Sequence, residues 1–265
     1  MKVGVVTFPG SNSDVDALNA LAVAGVDPVT LWHESPDLEG VSAVILPGGF
    51  AYGDYIRAGV IARFSPVLRG VKAFAASGGY VLGICNGFQV LAESGLVPGA
   101  LLRNRSLRFA CRVVAIGPER LDSPFTRAAS GAPIHIPIAH GEGCYYADEA
   151  TLDALEANGQ VLFRYVRNDG SPAIDPDEAA NPNGSLRAIA GVCNAAGNVA
   201  GLMPHPERMS EAILGTDEGM QLIRSLVESA ADWEAAGRPA TVAGPTAGRA
   251  APATDRAPAA ARGNA

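Results

Sequence analysis

Cys85 lies in the run Gly83-Ile84-Cys85-Asn86-Gly87-Phe88-Gln89, after the apolar Tyr80-Val81-Leu82 and before Val90-Leu91. The form is G-x-C-x-G where a buried strand gives way to a helix, the thiol counterpart of a nucleophile elbow. A sharp turn there lifts the side chain out of the sheet, and the flanking glycines let strand and helix approach closely. The helix N-terminus offers unpaired N–H groups and a positive dipole end, which lower a thiol pKa and steady an oxyanion. The other reading of a free cysteine is a small buried apolar residue. Cys111, Cys144 and Cys193, inside apparent strands, are read that way. Cys85, at the carboxyl end of a central strand, stands where open α/β sheets bind ligands.

Acyl transfer by a thiolate also needs a base, a group that orients the base, and an oxyanion hole. The chain has four histidines. His33 ends a strand pattern with only Glu34 beside it, and His135 sits among apolar residues as a packed strand residue would. His140-Gly141-Glu142 and His205-Pro206-Glu207 remain. Each places a carboxylate two positions on, where an extended backbone presents both groups to one side. Pro206 fixes its own φ and drives His205 into an extended conformation. Gly141 holds no geometry, so rigidity favours His205 with Glu207 and leaves HGEG as a polar, substrate or interface loop. The oxyanion donors are expected from the N–H of Asn86 and from the loop Pro47-Gly48-Gly49-Phe50, whose glycines let backbone approach a substrate.

These groups must be held by strands and helices. Strands are expected at 2–8, 28–33, 43–46 and 79–84, with helices at 14–24 and 60–76, the first capped by Ser11, Asn12 or Ser13 and the second broken near Pro66. Such alternation means βαβ units on a parallel sheet covered on both faces. From about residue 101 strands dominate, at 107–116, 133–138, 143–146, 160–166, 186–194 and 198–203, with one helix at 148–157. That half reads as antiparallel, with a hairpin turn at Asn194–Asn198. A last helix is expected over 217–230, and 231–265 reads as a disordered Ala/Pro/Gly-rich tail, frayed helix at its start.

Composition narrows the function. At 265 residues and a net charge of −7, with no Lys/Arg cluster, the chain is a poor partner for nucleic acid or anionic membrane. No apolar run reaches the length of a membrane span, and MKVGVVTFPGS reads as a first strand, not a signal peptide. Four dispersed cysteines without CxxC argue against a disulfide scaffold or a zinc site and for a reduced, cytoplasmic setting. Neither G-x-x-x-x-G-K-[ST] nor a post-strand G-x-G-x-x-G is present, so no ATP or dinucleotide site is expected on this chain.

PGGFAYGDYIRAG (47–59), GICNGFQ (83–89), AHGEG (139–143), NPNGS (181–185) and MPHPER (203–208) occur together and in this order. Over residues 1–230 the chain thereby resembles the glutaminase subunits of phosphoribosylformylglycinamidine synthases, within the class I (triad) glutamine amidotransferase superfamily. The resemblance implies an open, mostly parallel, doubly wound flavodoxin-like sheet with added antiparallel strands. It implies that Cys85 attacks the side-chain amide of glutamine, that His205 relays the proton to ammonia and that Glu207 orients His205. Gly49 and Asn86 would supply the oxyanion N–H groups, and Gln89 would contact the substrate. No cofactor or metal is implied on this chain. ATP and Mg are implied on a large synthetase subunit, which takes the ammonia, and the further partner implied is a small accessory subunit. A cysteine hydrolase or chaperone-like protein of the intracellular-protease superfamily is the alternative; Gln89 and a distant His-x-Glu favour glutamine chemistry. A regulatory subunit with a degenerate site would lack Cys85 or His205, and both are present.

Overall fold

The computed structural model describes residues 1–173 and 177–237. Strands Lys2–Thr7 (β1), Asp27–Trp32 (β2), Ala43–Leu46 (β3) and Tyr80–Ile84 (β4) form in the first third, with helices Asp14–Val23 (α1), Val67–Ala76 (α2) and Asn86–Glu93 (α3) between and after them. In α1, Ala17, Ala20 and Leu21 are buried, the i, i+3, i+4 spacing of one helical face. The sequence pattern from 60 to 76 breaks at Pro66, as expected, into a short turn at Ala62–Phe64 and α2. The later strands are Ala100–Leu102 (β5), Ala110–Pro118 (β6), Ile134–His140 (β7), Cys144–Tyr146 (β8), Val161–Val166 (β9), Ile189–Cys193 (β10) and Val199–Leu202 (β11); helices Glu149–Ala157 (α4) and Met220–Ala235 (α5) complete the set.

Nine strands make one sheet in the order β2-β1-β3-β4-β11-β10-β9-β6-β7. The pairings from β2 to β11 are parallel. Those from β11 to β7 are antiparallel. The parallel half has the 2-1-3-4-5 order of flavodoxin-like sheets, with β11 in the fifth place. All residues of β3 and β11 are buried, as are β1 and β4 apart from their ends, so layers cover the centre of this half on both faces. β5 and β8 pair as a separate ribbon, and Tyr145 of β8 stacks on Phe88 of α3 at 6.1 Å. β5 is a strand that the sequence pattern does not announce.

The structure departs from the sequence pattern in two further places. α5 runs past residue 230 to Ala235, because Trp233 meets the edge of Phe74 and Glu234 accepts a 2.6 Å hydrogen bond from Ser42 Oγ. The rest of the expected tail, from 238, lies outside the described residues. Cys111 lies in β6 as expected but is exposed, because β9 pairs only with Ala115–Pro118 and leaves the start of β6 uncovered on that side.

Candidate active site

Four neighbouring parallel strands end at one place. β1 leads into Pro9–Ser13, β3 into Pro47–Phe50, β4 into Cys85, and β11 into Pro204-His205. Cys85 bridges β4 and α3, and its N–H continues the ladder to Leu202 O at 2.8 Å. Its backbone has φ 50° and ψ −106°, the strained geometry of an elbow. The turn closes only because α3 can lie against β3: a Cβ on Gly87 would collide with the Leu46 carbonyl oxygen. The thiol sits 3.8 Å from the carbonyl oxygen of Ala139, so the end of β7 walls one side of the site.

His205 is extended, φ −104° and ψ 91°, as a residue before proline must be. Its N–H binds Pro137 O at 2.8 Å. His205 Nδ1 and Glu207 Oε1 are 2.6 Å apart with both side chains sealed from solvent. The pairing expected from an extended backbone is reached by another route: Pro206–Met209 form a 3-10 turn, which folds Glu207 back beneath the ring. Burial is the largest influence on the imidazole and works against its cation. The Glu207 carboxylate and Cys85 together outweigh it and push the pKa up to about 10. Among the described residues Nε2 is buried with no formed hydrogen bond, and Cys85 is one of the groups that favour the cation.

The side chain of Asn86 braces the elbow. Its Oδ1 accepts from Ala51 N at 3.0 Å, and its Nδ2 donates to Asp54 Oδ1 at 3.1 Å and Gln89 Oε1 at 2.9 Å. Gln89 Nε2 donates to Glu142 O at 2.6 Å, so both ends of the Gln89 amide are engaged within the protein. Burial, then the charge of Glu142, raise the Asp54 pKa to about 6 against the pull of the Asn86 bond. Asp54 belongs to the 47–59 motif, yet nothing in its local sequence pointed to this network.

His140 closes β7 beside this network. Burial, then His205, hold its pKa down to about 3. The HGEG loop is not loose, contrary to the sequence argument from Gly141. Asn104 accepts from Gly143 N at 3.0 Å and donates to His140 O at 2.8 Å, while Asn183 reaches the His140 ring. The 181–185 loop and the 139–143 loop are thus one packed unit. His33 hydrogen-bonds Tyr52 through Nδ1 at 2.8 Å, and His135 pairs with Glu218 at 3.0 Å; neither borders Cys85. Among the described residues no cluster of His, Cys, Asp and Glu could hold a metal ion, and no helix is long and apolar enough to cross a membrane.

A cysteine elbow on the fourth strand of this sheet, with a buried His–Glu pair arriving on the fifth, is the architecture of the triad glutamine amidotransferases. Residues 1–221 match the CobB/CobQ-like glutamine amidotransferase domain. The chain is 55% identical over 231 residues to the phosphoribosylformylglycinamidine synthase subunit PurQ of Rubrobacter xylanophilus, spanning 87% of this chain and 99% of that protein. It is 54% identical over 235 residues to the subunit of the same name from Moorella thermoacetica, spanning 88% and 96%. The chain belongs to this family of glutamine amidotransferases. A chain in the structure of PurLQS from Thermotoga maritima superposes with a TM-score of 0.74 at 40% identity, covering 86% of this chain and 97% of that one. A putative GMP synthase component from Thermoplasma acidophilum, TM-score 0.57 and 15% identical over 89% of this chain and 96% of that one, shares the fold.

Proposed function

We propose that this chain is the glutaminase subunit of phosphoribosylformylglycinamidine synthase. It cleaves the side-chain amide of glutamine and supplies ammonia to a synthetase partner that works with a small accessory subunit. The observation that carries the reading is the sealed His205–Glu207 pair beside a strained Cys85 elbow, in a chain matching a PurQ subunit over nearly that protein's whole length.

The residues act in sequence. The sulfur of Cys85, its proton already held on His205 Nε2 in the cation that Glu207 supports, adds to the amide carbon. The carbonyl electrons move to oxygen, which the N–H groups of Gly49 and Asn86 stabilise. His205, kept cationic by Glu207, returns the proton to the amide nitrogen, and the C–N bond breaks to release ammonia. The same imidazole then takes a proton from water, whose oxygen attacks the thioester and frees glutamate and the thiol. Gln89, locked between Asn86 and Glu142 O, shapes the substrate wall through the backbone it fixes. ATP and magnesium belong to the synthetase partner, and the complex works in the cytoplasm. The catalytic domain runs through the end of α5 at Ala235.

The test is reconstitution with the two partner subunits. The wild-type complex should release glutamate from glutamine and form the amidine with ¹⁵N from the amide. Cys85→Ser should lower both by at least about 10³-fold while ammonium salts still support synthesis. Full glutaminase activity in Cys85→Ser would overturn the mechanism. Glutamate release without amidine formation would overturn the assignment to this synthase.

A further inference from the structure

Gly48 is where three parts of the site meet. Its carbonyl oxygen accepts from Asn12 N at 3.4 Å and Ser13 N at 3.3 Å, both on the turn that leads into α1. In a trans peptide the C=O of one residue and the N–H of the next point in opposite directions. Clamping the Gly48 carbonyl therefore aims the Gly49 N–H the other way, and among the described residues that N–H donates to no backbone acceptor. On its open side Gly48 is hemmed in: a Cβ there would stand 2.6 Å from His205 Cε1 and 3.1 Å from Ser13 Oγ.

Ser13 precedes α1 but does not cap it, since its hydroxyl accepts from no N–H of the first turn. That forgoes the contribution of about 1 kcal/mol that a serine at this position ordinarily makes. Instead Ser13 Oγ accepts a 2.6 Å hydrogen bond from Arg208 Nη2 and donates to Asn12 Oδ1 at 3.2 Å. Arg208 stands three residues after His205, in the same 3-10 turn as Glu207. Its other contact, Nε to Asp16 Oδ2 at 3.3 Å, is half-exposed and contributes little.

We infer that Arg208, acting through Ser13, is a positioning residue for the Gly48–Gly49 peptide, tying the oxyanion donor to the turn that carries the His205–Glu207 pair. The inference rests on the reading of Gly49 N–H as an oxyanion donor. A planar guanidinium with two directed N–H groups spans Ser13 and Asp16 in a way a flexible ammonium does not. The strut acts on the transition state, because the oxygen carries full charge only there.

The experiment uses the reconstituted complex and two probes. One is glutamine turnover. The other is glutamate γ-semialdehyde, whose carbonyl takes up the Cys85 thiol to form a hemithioacetal with its oxygen in the oxyanion site. Arg208→Ala and Ser13→Ala should each lower kcat about 10- to 100-fold and weaken the aldehyde by a similar factor, with KM for glutamine within about twofold. The double variant should be no worse than either single one, and Arg208→Lys should recover part of the loss. Changes within twofold in both probes, a KM effect alone, or additive losses would overturn the strut. Gly49→Ala separates the two levels, since its φ of +142° and a Cβ 2.8 Å from Asn12 N force the peptide to move. If Gly49→Ala keeps the aldehyde affinity, the donor reading fails and the strut with it. If Gly49→Ala loses that affinity and Arg208→Ala does not, only the strut fails.

Discussion

Asn183 Nδ2 lies 3.2 Å from His140 Nε2, and Ser185 dictates the direction of that bond. The backbone N–H of Ser185, which can only donate, points at Asn183 Oδ1 from 3.1 Å. The amide nitrogen must therefore face His140 and the Tyr165 hydroxyl, the latter at 2.9 Å. His140 Nε2 is then an acceptor, the ring proton sits on Nδ1, and an imidazolium would set N–H against N–H. Burial and His205 push the same way, holding the pKa to about 3. Of the two histidines nearest Cys85, the surroundings hold one neutral and favour the cation of the other.

Ring ¹⁵N shifts should accordingly show His140 as the neutral Nδ1–H form from about pH 5 to about pH 9. A His140 imidazolium near pH 6 in the folded wild type would contradict the network. Asn183→Asp replaces the donor by an acceptor and should bring His140 charging toward neutral pH.

Glu207→Gln should lower glutaminase kcat by roughly 10²- to 10⁴-fold with little change in KM. The pH dependence of stability carries a sign. The folded pKa of His205, about 10, lies above its ordinary value, so its contribution is fully present below about pH 6.5 and is lost as pH rises through about 10. The wild type should lose more thermal stability between pH 7 and pH 10 than Glu207→Gln does. Equal losses in the two proteins would rule out the pair as the source.

Gly87→Ala should destabilise the fold by about 2–4 kcal/mol, because the added methyl meets the Leu46 carbonyl with no side chain able to yield. Calorimetry should register a fall in Tm of about 5–15 °C. An unchanged Tm would show that α3 can shift away from β3.

The parallel half was legible because its signals are local. Buried strands, a pre-proline histidine and glycines around Cys85 each announce their own backbone. What the sequence hid was non-local. Gly141 suggested a loose loop, yet Asn104 and Asn183, from distant segments, pin it. Ser13, one of three candidate caps for α1, is the residue before the helix, but its hydroxyl is claimed by Arg208, 195 positions away. Gln89 read as a substrate contact, and its neighbours Asn86 and Glu142 already occupy its amide.

The place of β11 in the sheet has a consequence for how the protein is made. Cys85 and its strand are complete early in synthesis, but the slot between β4 and β10 stays empty until residues 199–202 have been translated. Closing it joins segments more than 100 positions apart, an entropically slow step. His205 follows shortly after that strand, so it and Cys85 meet only when the sheet closes. A ribosome-bound or prematurely terminated chain therefore exposes a cysteine but no amidase, and the onset of hydrolysis coincides with the completion of folding.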